Sequence, residues 1–310
     1  MHIFIQSSLQ DVHRQQLLAA LANSHDLTFA QEMPENERRA AFQNAEIILG
    51  NPPVAWFDQP PIALKFWQLD SAGFDGYQHL KLSVPIANMG DWFAWPCAET
   101  IVAGIIGLYR SIHELAVLQK EAKWVGTPIR FRLDLLRHKR VLILGAGAIG
   151  QAVRKMLNGF DCDVKTLART NPEAELHSID ELKRTLPGAQ LVVNCLPGTA
   201  KGFFTEELIA LMPPGSVYAS VGRGSTTDEA ALIAALQANR LAGAVLDVTE
   251  VEPLPVQNPL WAMPNVILTQ HTGGGQRHEN DGKADLFLKN LANFLANRPI
   301  ENQIDLTRGY

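Results

Sequence analysis

The chain has 310 residues, 46% of them hydrophobic and 19% charged, a composition that excludes a disordered tail protein, a collagen-like fibre and a coiled coil. Because one domain usually has roughly 100–200 residues, this length predicts two domains. The formal net charge of -5 offers no basic surface to a phosphate backbone, so we expect no nucleic-acid partner.

The first part of the chain alternates short apolar runs with helical patterns, as parallel α/β domains do. A helix is predicted at Gln10–Ala22. The predicted strands are Ile3–Gln6, Leu27–Ala30, Glu46–Leu49, Lys65–Leu69 and Leu82–Pro85. Together they predict a small α/β domain with a doubly wound parallel sheet of the flavodoxin-like type.

A single long helix is predicted over Cys97–Glu121, a stretch without proline. Its apolar residues cover more than one narrow stripe, so the helix should be buried on several sides. Gly104 and Gly107 would each cost about 1 kcal/mol inside a helix, which indicates that another element approaches the backbone closely. That element could lie in the same chain or in a second copy of it.

Six more predicted strands follow and alternate with helices, which predicts a complete, doubly wound Rossmann sheet. These strands are Val141–Leu144, Val164–Leu167, Leu191–Asn194, Ser216–Ala219, Ala244–Val248 and Val266–Thr269. A last helix, Asp281–Ala296, should pack on the first domain. We therefore expect a smaller, discontinuous domain of residues 1–96 and 279–310 and a Rossmann domain of residues 97–278.

A glycine motif stands directly between the first of these strands and a helical pattern. It reads Gly145-Ala146-Gly147-Ala148-Ile149-Gly150. A lone GxGxxG motif is a weak signal, but strand, turn and helix in this order are what a dinucleotide site requires. The first glycine permits the tight turn, the second admits the pyrophosphate, and the third brings the helix close to the strand. The motif therefore predicts a dinucleotide cofactor.

The end of the next strand normally decides between NAD and NADP, because an acid there binds the ribose 2′-OH of NAD. Here the residues are Arg169 and Thr170, and no acid stands at that end of the strand. A guanidinium and a hydroxyl can both bind a 2′-phosphate. We therefore expect NADP(H) to be preferred, with NAD(H) possible.

Three polar residues follow the carboxyl ends of successive predicted strands, where ligands bind in open parallel sheets: Arg223, Glu252 and His271. If the substrate is a 2-oxo acid, Arg223 can hold its carboxylate and polarise its carbonyl. His271 can give a proton to the oxygen that becomes the alkoxide, while Glu252 orients the imidazole and favours its charged form. Any one of them alone would more often be a surface residue, so the prediction depends on their conjunction.

Four segments resemble the signatures of the D-isomer-specific 2-hydroxyacid dehydrogenases, in that family's order: Val141–Gly150, Ser220–Gly224, Gly243–Pro255 and Gln270–Gly274. The residues from Asp305 onward, the Arg169-Thr170 pair and the Asn194–Thr199 turn look most like the glyoxylate/hydroxypyruvate reductase branch. The resemblance implies an oxidoreductase that transfers hydride between NADP(H) and a small 2-oxo or 2-hydroxy acid, and a homodimer.

The same resemblance implies further site residues. The backbone at Ala72 and Gly73 would hold the substrate carboxylate, together with Arg223 and His271. Asp247 would meet the nicotinamide carboxamide. The ribose and nicotinamide ring would be lined by Leu196, Pro197, Val221 and Gly222. The smaller domain would then bind substrate and the Rossmann domain would bind cofactor.

Several residues depart from the family's usual pattern: Ser220 replaces asparagine, Thr249 an aromatic residue and Gln270 the proline before the histidine. None of these changes removes a predicted catalytic group. Two alternatives stay open, namely a reductase of a bulkier 2-oxo acid and a dinucleotide-sensing, corepressor-like module without turnover. Assay of NADPH oxidation with a panel of 2-oxo acids separates them.

The cysteines and the apolar stretches predict an ordinary cytoplasmic protein. Cys97, Cys162 and Cys195 are odd in number and lack CxxC spacing, so we expect neither a disulfide framework nor a metal site. The amino terminus lacks the pattern of a secretion signal, and the apolar runs fall short of the roughly 20 residues of a membrane span. We expect no membrane partner.

Overall fold

The computed structural model describes residues 1–309, with eleven strands and ten α-helices in that range. The strands are β1 (His2–Ile5), β2 (Asp26–Phe29), β3 (Ile47–Leu49), β4 (Phe66–Gln68), β5 (Ile86–Ala87), β6 (Arg140–Leu144), β7 (Asp163–Leu167), β8 (Leu191–Asn194), β9 (Val217–Ser220), β10 (Gly243–Leu246) and β11 (Val266–Leu268). The helices are α1 (Asp11–Leu21), α2 (Glu35–Gln43), α3 (Ala94–Tyr109), α4 (Ile112–Lys120), α5 (Thr127–Arg130), α6 (Ala148–Asn158), α7 (Ile179–Thr185), α8 (Glu206–Leu211), α9 (Glu229–Gln237) and α10 (Glu279–Leu295).

The chain forms two compact units, one of residues 1–93 with 276–309 and one of residues 94–275. Each unit is built on one parallel sheet, so the predicted fold class of two parallel-sheet α/β domains is confirmed.

The first unit has five parallel strands in the order β2-β1-β3-β4-β5, the flavodoxin-like order. Successive residues of β1 face opposite sides of the sheet, as the twofold period of a strand requires. Ile3 and Ile5 pack with Leu17 of α1 and Phe287 of α10, whereas Phe4 packs in the cluster on the other face. Both faces of this sheet are therefore buried.

Helix α10 belongs to the first unit although it comes last in the chain. The side chain of Asn290 donates from Nδ2 to Oε1 of Gln68 in β4 at 2.8 Å, and both residues are fully buried. His13 of α1 lies 2.6 Å from Asp281 at the start of α10. The helix is thus fixed to the sheet and to α1 by polar contacts as well as by apolar packing.

The predicted strand at Leu82–Pro85 is wrong, because the fifth strand is Ile86–Ala87. Pro85 has no N–H for a sheet ladder and contributes only its carbonyl, which accepts from Trp67 N at 3.1 Å. Leu82 and Val84 instead pack as loop residues against the core cluster on that face of the sheet.

The second unit has six parallel strands in the order β11-β10-β9-β8-β6-β7, a doubly wound sheet. All six strands predicted here are present, with ends shifted by at most two residues. Three of them, β8, β9 and β10, are buried along their whole length, as expected for the central strands of a parallel sheet covered by helices on both faces.

The helix predicted over Cys97–Glu121 is two helices, α3 and α4, bent by 72°. Ser111, between them, adopts the left-handed conformation with φ 51°. A Cβ at Gly104 would lie 2.4 Å from Cγ1 of Val245 in β10, so this glycine lets α3 lie directly on the sheet. Packing within the chain therefore accounts for Gly104.

Within residues 1–309, no single helix is long and apolar enough to cross a membrane. The bent pair of α3 and α4 meets the length and composition criteria only when the two helices are taken together.

Candidate active site

The glycine loop connects β6 to α6 in the conformation that its sequence predicts. Gly145 has φ +102°, a region that side chains disfavour. A Cβ at Gly150 would lie 2.1 Å from the carbonyl oxygen of Gly145, so only glycine lets the helix begin this close to the strand. A Cβ at Gly147 would meet no atom within 4 Å of it.

The start of α6 can accept an anion. No side chain of the described chain, residues 1–309, caps this helix, and its N-cap residue is Gly147. Uncapped N–H groups and the positive end of the helix dipole attract negative charge. The open space over Gly147 lies where a bound group would approach these amides. The loop therefore fits the pyrophosphate of a dinucleotide.

The turn after β7 carries Arg169 and Thr170, both exposed. Sequence reasoning missed the residue that connects this turn to the glycine loop, Asn171, whose Nδ2 donates to the Ala146 carbonyl at 3.2 Å. The nearby Glu175 faces Arg154 and accepts from Thr166 N at 2.8 Å. The turn thus presents a cation next to the glycine loop.

Two further turns of the second unit touch each other at the strand ends. A Cβ at Gly222 would lie 2.3 Å from the Leu196 carbonyl oxygen, so the segments of Leu196-Pro197 and Val221-Gly222 are in close contact. Arg223 follows directly and donates from Nη1 to the Gly222 carbonyl at 3.0 Å. Burial raises the pKa of Cys195, the residue before Leu196, to about 12, so that thiol stays protonated and is no nucleophile.

His271 and Glu252 are in direct contact. The Nδ1 atom of His271 lies 2.6 Å from Oε2 of Glu252, and Oε1 of Glu252 accepts from Thr249 N at 2.9 Å. With Nδ1 facing a carboxylate, Nε2 is the ring nitrogen available for other partners. The histidine side chain is 49% exposed.

The loop that carries His271 is held by Asp247, which is 4% exposed. Its Oδ1 accepts from Thr269 Oγ1 at 2.6 Å, from Thr272 N at 3.1 Å and from Gly273 N at 3.0 Å. Gln270 and His271 both have positive φ, 55° and 54°, which is costly for residues with side chains. The buried carboxylate therefore holds a strained loop.

Ala72 and Gly73 lie in the first unit, in the loop after β4, whereas every other predicted site residue lies in the second unit. The Ala72 carbonyl accepts from Asn88 Nδ2 at 2.6 Å, and the Gly73 carbonyl accepts from Ser71 Oγ at 2.7 Å. Asn88 was not found by sequence reasoning, because nothing in its local sequence distinguishes it from other polar loop residues.

Known proteins resemble this chain in sequence and in fold. A sequence profile described as D-isomer specific 2-hydroxyacid dehydrogenase, NAD binding domain, matches residues 102–273. An uncharacterized protein of the proB 3′ region of Corynebacterium melassecola is 31% identical over 288 residues, covering 89% of this chain and 93% of that protein. Glyoxylate/hydroxypyruvate reductase A of Salmonella heidelberg (strain SL476) is 29% identical over 238 residues, 74% of each chain.

Solved structures share the whole fold. A D-isomer specific 2-hydroxyacid dehydrogenase of Xanthobacter autotrophicus Py2, crystallised with NADPH and MES, is 28% identical with a TM-score of 0.79. The similarity covers 100% of this chain and 99% of that one. Both units of this chain therefore have counterparts in a solved structure.

Proposed function

The chain belongs to the D-isomer specific 2-hydroxyacid dehydrogenase family of NAD(P)-dependent oxidoreductases, and we propose that it is an NADPH-preferring reductase of glyoxylate- and hydroxypyruvate-type 2-oxo acids. In this proposal the second unit binds the cofactor and the first unit binds the substrate. The 29% identity to a glyoxylate/hydroxypyruvate reductase supports the substrate class.

The single observation that carries the proposal is the contact of His271 Nδ1 with Glu252 Oε2 at 2.6 Å. The carboxylate fixes the orientation of the ring and keeps Nε2 directed away from it, as the orientation of a proton donor requires. Arg223 holds the substrate carboxylate and polarises the carbonyl. In the first unit, the proposed substrate-binding groups are the main-chain atoms of Ala72 and Gly73.

When bound, NADPH supplies the hydride that reduces the carbonyl carbon. Leu196, Pro197, Val221 and Gly222 line its ribose and ring in this proposal, and Asp247 meets the carboxamide. Asp247 would then bind the cofactor and also hold the loop of His271, since its Oδ1 accepts from Thr272 N and Gly273 N of that loop. His271 gives its Nε2 proton to the developing alkoxide and takes it back when the 2-hydroxy acid is oxidised.

The experiment that tests the proposal is a turnover assay with NADPH and a panel of 2-oxo acids of increasing size. We expect the highest kcat/KM with glyoxylate or hydroxypyruvate. A higher kcat/KM with a bulky 2-oxo acid would show that the proposed substrate class is wrong and that the protein reduces larger 2-oxo acids. NADPH binding without turnover of any 2-oxo acid would favour a dinucleotide-sensing module instead.

We expect Arg169→Asp to shift cofactor preference from NADPH toward NADH. The substitution removes a cation that can bind the 2′-phosphate and introduces a repelling charge, so kcat/KM for NADPH should fall by about 10- to 100-fold. Steady-state kinetics with both cofactors measures this ratio. Arg184→Asp, the same charge change at an exposed residue of α7, is the matched control.

If wild-type protein uses NADH as well as NADPH, or if both aspartate variants change the ratio equally, the role of Arg169 is wrong. The absence of an acid after β7 would then have no bearing on cofactor choice.

We also propose a homodimer, formed over an apolar surface that begins at α4. Its most exposed large side chains are Ile112 (53%), Val117 (57%), Trp124 (97%), Phe131 (82%) and Leu135 (58%). Monomeric proteins rarely expose so many large apolar side chains in one segment, and family resemblance predicts a second copy as the partner.

Sedimentation should therefore give about twice the 34.1 kDa of one chain, and Phe131→Asp should shift the protein to the single-chain mass. Ile62→Asp is the matched control, because Ile62 is fully exposed but lies in the first unit. A wild-type monomer at micromolar concentration would contradict the dimer. Dissociation by both variants alike would contradict this choice of surface.

A further inference from the structure

Asn194, the last residue of β8, has a fully buried side chain that connects separate segments of the second unit. Its Oδ1 accepts from Leu196 N at 3.0 Å. Its Nδ2 donates to Tyr218 Oη and to Thr226 Oγ1, both at 2.8 Å. A buried amide with its donors and acceptor engaged has one favourable orientation, because turning it would leave polar atoms without partners.

The bond to Thr226 continues to the main chain of Arg223. Thr226 is fully buried, and its Oγ1 donates to the Arg223 carbonyl at 2.6 Å, while its N donates to the same carbonyl at 3.1 Å. A hydroxyl has one proton, so an oxygen that donates to Arg223 must accept from Asn194. Asn194 therefore donates to Thr226 and Thr226 donates to Arg223, so a chain of two hydrogen bonds connects the end of β8 to the Arg223 carbonyl.

The main chain of Asn194 contacts the same segment. Its carbonyl accepts from Val221 N at 3.0 Å and from Gly222 N at 3.2 Å. Asn194 thus binds both segments that meet at the contact between Leu196 and Gly222. Its side chain bonds the Leu196 segment, and its carbonyl bonds the Gly222 segment.

The network is uncharged. Burial raises the pKa of Tyr218 to about 12, so its hydroxyl remains protonated, and Oη lies 2.5 Å from Thr227 Oγ1. Tyr218 is a partner of Asn194, but the hydrogen bonds that lead from Asn194 to the Arg223 carbonyl run through Thr226. The two branches can therefore be tested separately.

We propose that Asn194 and Thr226 are positioning residues, which fix the main chain of Arg223 relative to the Leu196 turn. The inference rests on the proposed function, which gives Arg223 the substrate carboxylate and the Leu196 turn the nicotinamide. Loss of the Thr226 hydroxyl removes the shorter of the two hydrogen bonds from Thr226 to the Arg223 carbonyl and lets the guanidinium shift. Misplacement of a binding group by about 1 Å can cost on the order of 100-fold in rate.

Thr226→Ala should therefore lower kcat/KM for glyoxylate by about 10- to 100-fold, mainly through KM, with the NADPH dissociation constant little changed. Rates are divided by the concentration of sites that bind NADPH, so unfolded protein does not count. Thr226→Ser keeps the hydroxyl and should stay close to wild type. Tyr218→Phe is the matched control, because it removes the other hydroxyl that lies 2.8 Å from Asn194 Nδ2.

A double-mutant cycle decides whether Thr226 acts through Arg223. We expect Arg223→Ala to lose most activity, and Thr226→Ala to add little further loss in that background. If Thr226→Ala causes the same fold loss of kcat/KM in the wild-type and the Arg223→Ala backgrounds, the positioning role is wrong. It is also wrong if Thr226→Ala lowers the melting temperature but leaves kcat/KM per site unchanged. Neither result would contradict the proposed function. Wild-type activity in Arg223→Ala would overturn the proposed function and this inference together.

Discussion

Replacing His271 with alanine should lower the rate of glyoxylate reduction by about 100- to 10,000-fold, the range that general acid–base catalysis usually contributes. The substitution removes the only group assigned to protonate the alkoxide. NADPH binding should stay near the wild-type value, because the substitution leaves the glycine loop and Arg169, the proposed pyrophosphate- and 2′-phosphate-binding groups, unchanged. Loss of NADPH absorbance measures the rate, and quenching of its fluorescence measures binding.

His278→Ala provides a matched control for this experiment. His278 is also exposed, at 70%, and its Nδ1 also faces a carboxylate, Oδ2 of Asp281 at 2.7 Å, but it lies in the first unit. We expect this variant to keep wild-type turnover. If His271→Ala also keeps near-native reduction, the proton must come from another residue or from water.

The second large effect is expected at Gly150. A Cβ there would lie 2.1 Å from a backbone oxygen, which cannot move aside as a flexible side chain can. Gly150→Ala should destabilise the second unit by about 1–3 kcal/mol or more and abolish tight NADPH binding, because α6 must move away from β6. Thermal melting and NADPH titration measure the two losses.

Gly147→Ala separates cofactor binding from folding. Its Cβ would meet no atom within 4 Å, so the melting temperature should not change. The methyl group would instead enter the space proposed for the pyrophosphate, and NADPH should bind more weakly. Equal melting temperatures for Gly150→Ala and wild type would contradict the close approach of helix and strand. Unchanged NADPH affinity in Gly147→Ala would show that the pyrophosphate does not bind over Gly147.

The sheets could be predicted from sequence because buried parallel strands contain continuous apolar runs, such as Ile47–Leu49 and residues 191–193. The bend at Ser111 could not be predicted, since no glycine or proline marks it and the apolar pattern continues across it. The strand at Leu82–Pro85 failed for a related reason: its apolar residues pack against the core from a loop.

Some residues of the candidate site could likewise be predicted from sequence, and others could not. Arg223, Glu252 and His271 could be chosen because each follows a predicted strand and has a distinct chemistry. The residues that hold the site loops, Asn88 and Asn194, were missed. Asn88 bonds Ala72, and Asn194 bonds Thr226, so their partners are far away in sequence. No local pattern specifies a side-chain hydrogen bond of that kind.

The position of α10 has a consequence for synthesis of the protein. The five strands of the first unit end at Ala87, but the helix that covers one face of their sheet begins at Glu279, after the whole second unit. At about 5–20 residues per second, a ribosome needs on the order of 10–40 s to make the 186 residues from 94 to 279.

During that time the second unit can fold, since it is continuous in sequence. The face of the first sheet that contains Ile3, Ile5 and Phe66 has no α10 to cover it. An exposed apolar sheet is prone to aggregation. The nascent chain should therefore depend on chaperones between completion of β5 and release of the carboxyl terminus, and a chain that stops before α10 should be lost to aggregation or proteolysis.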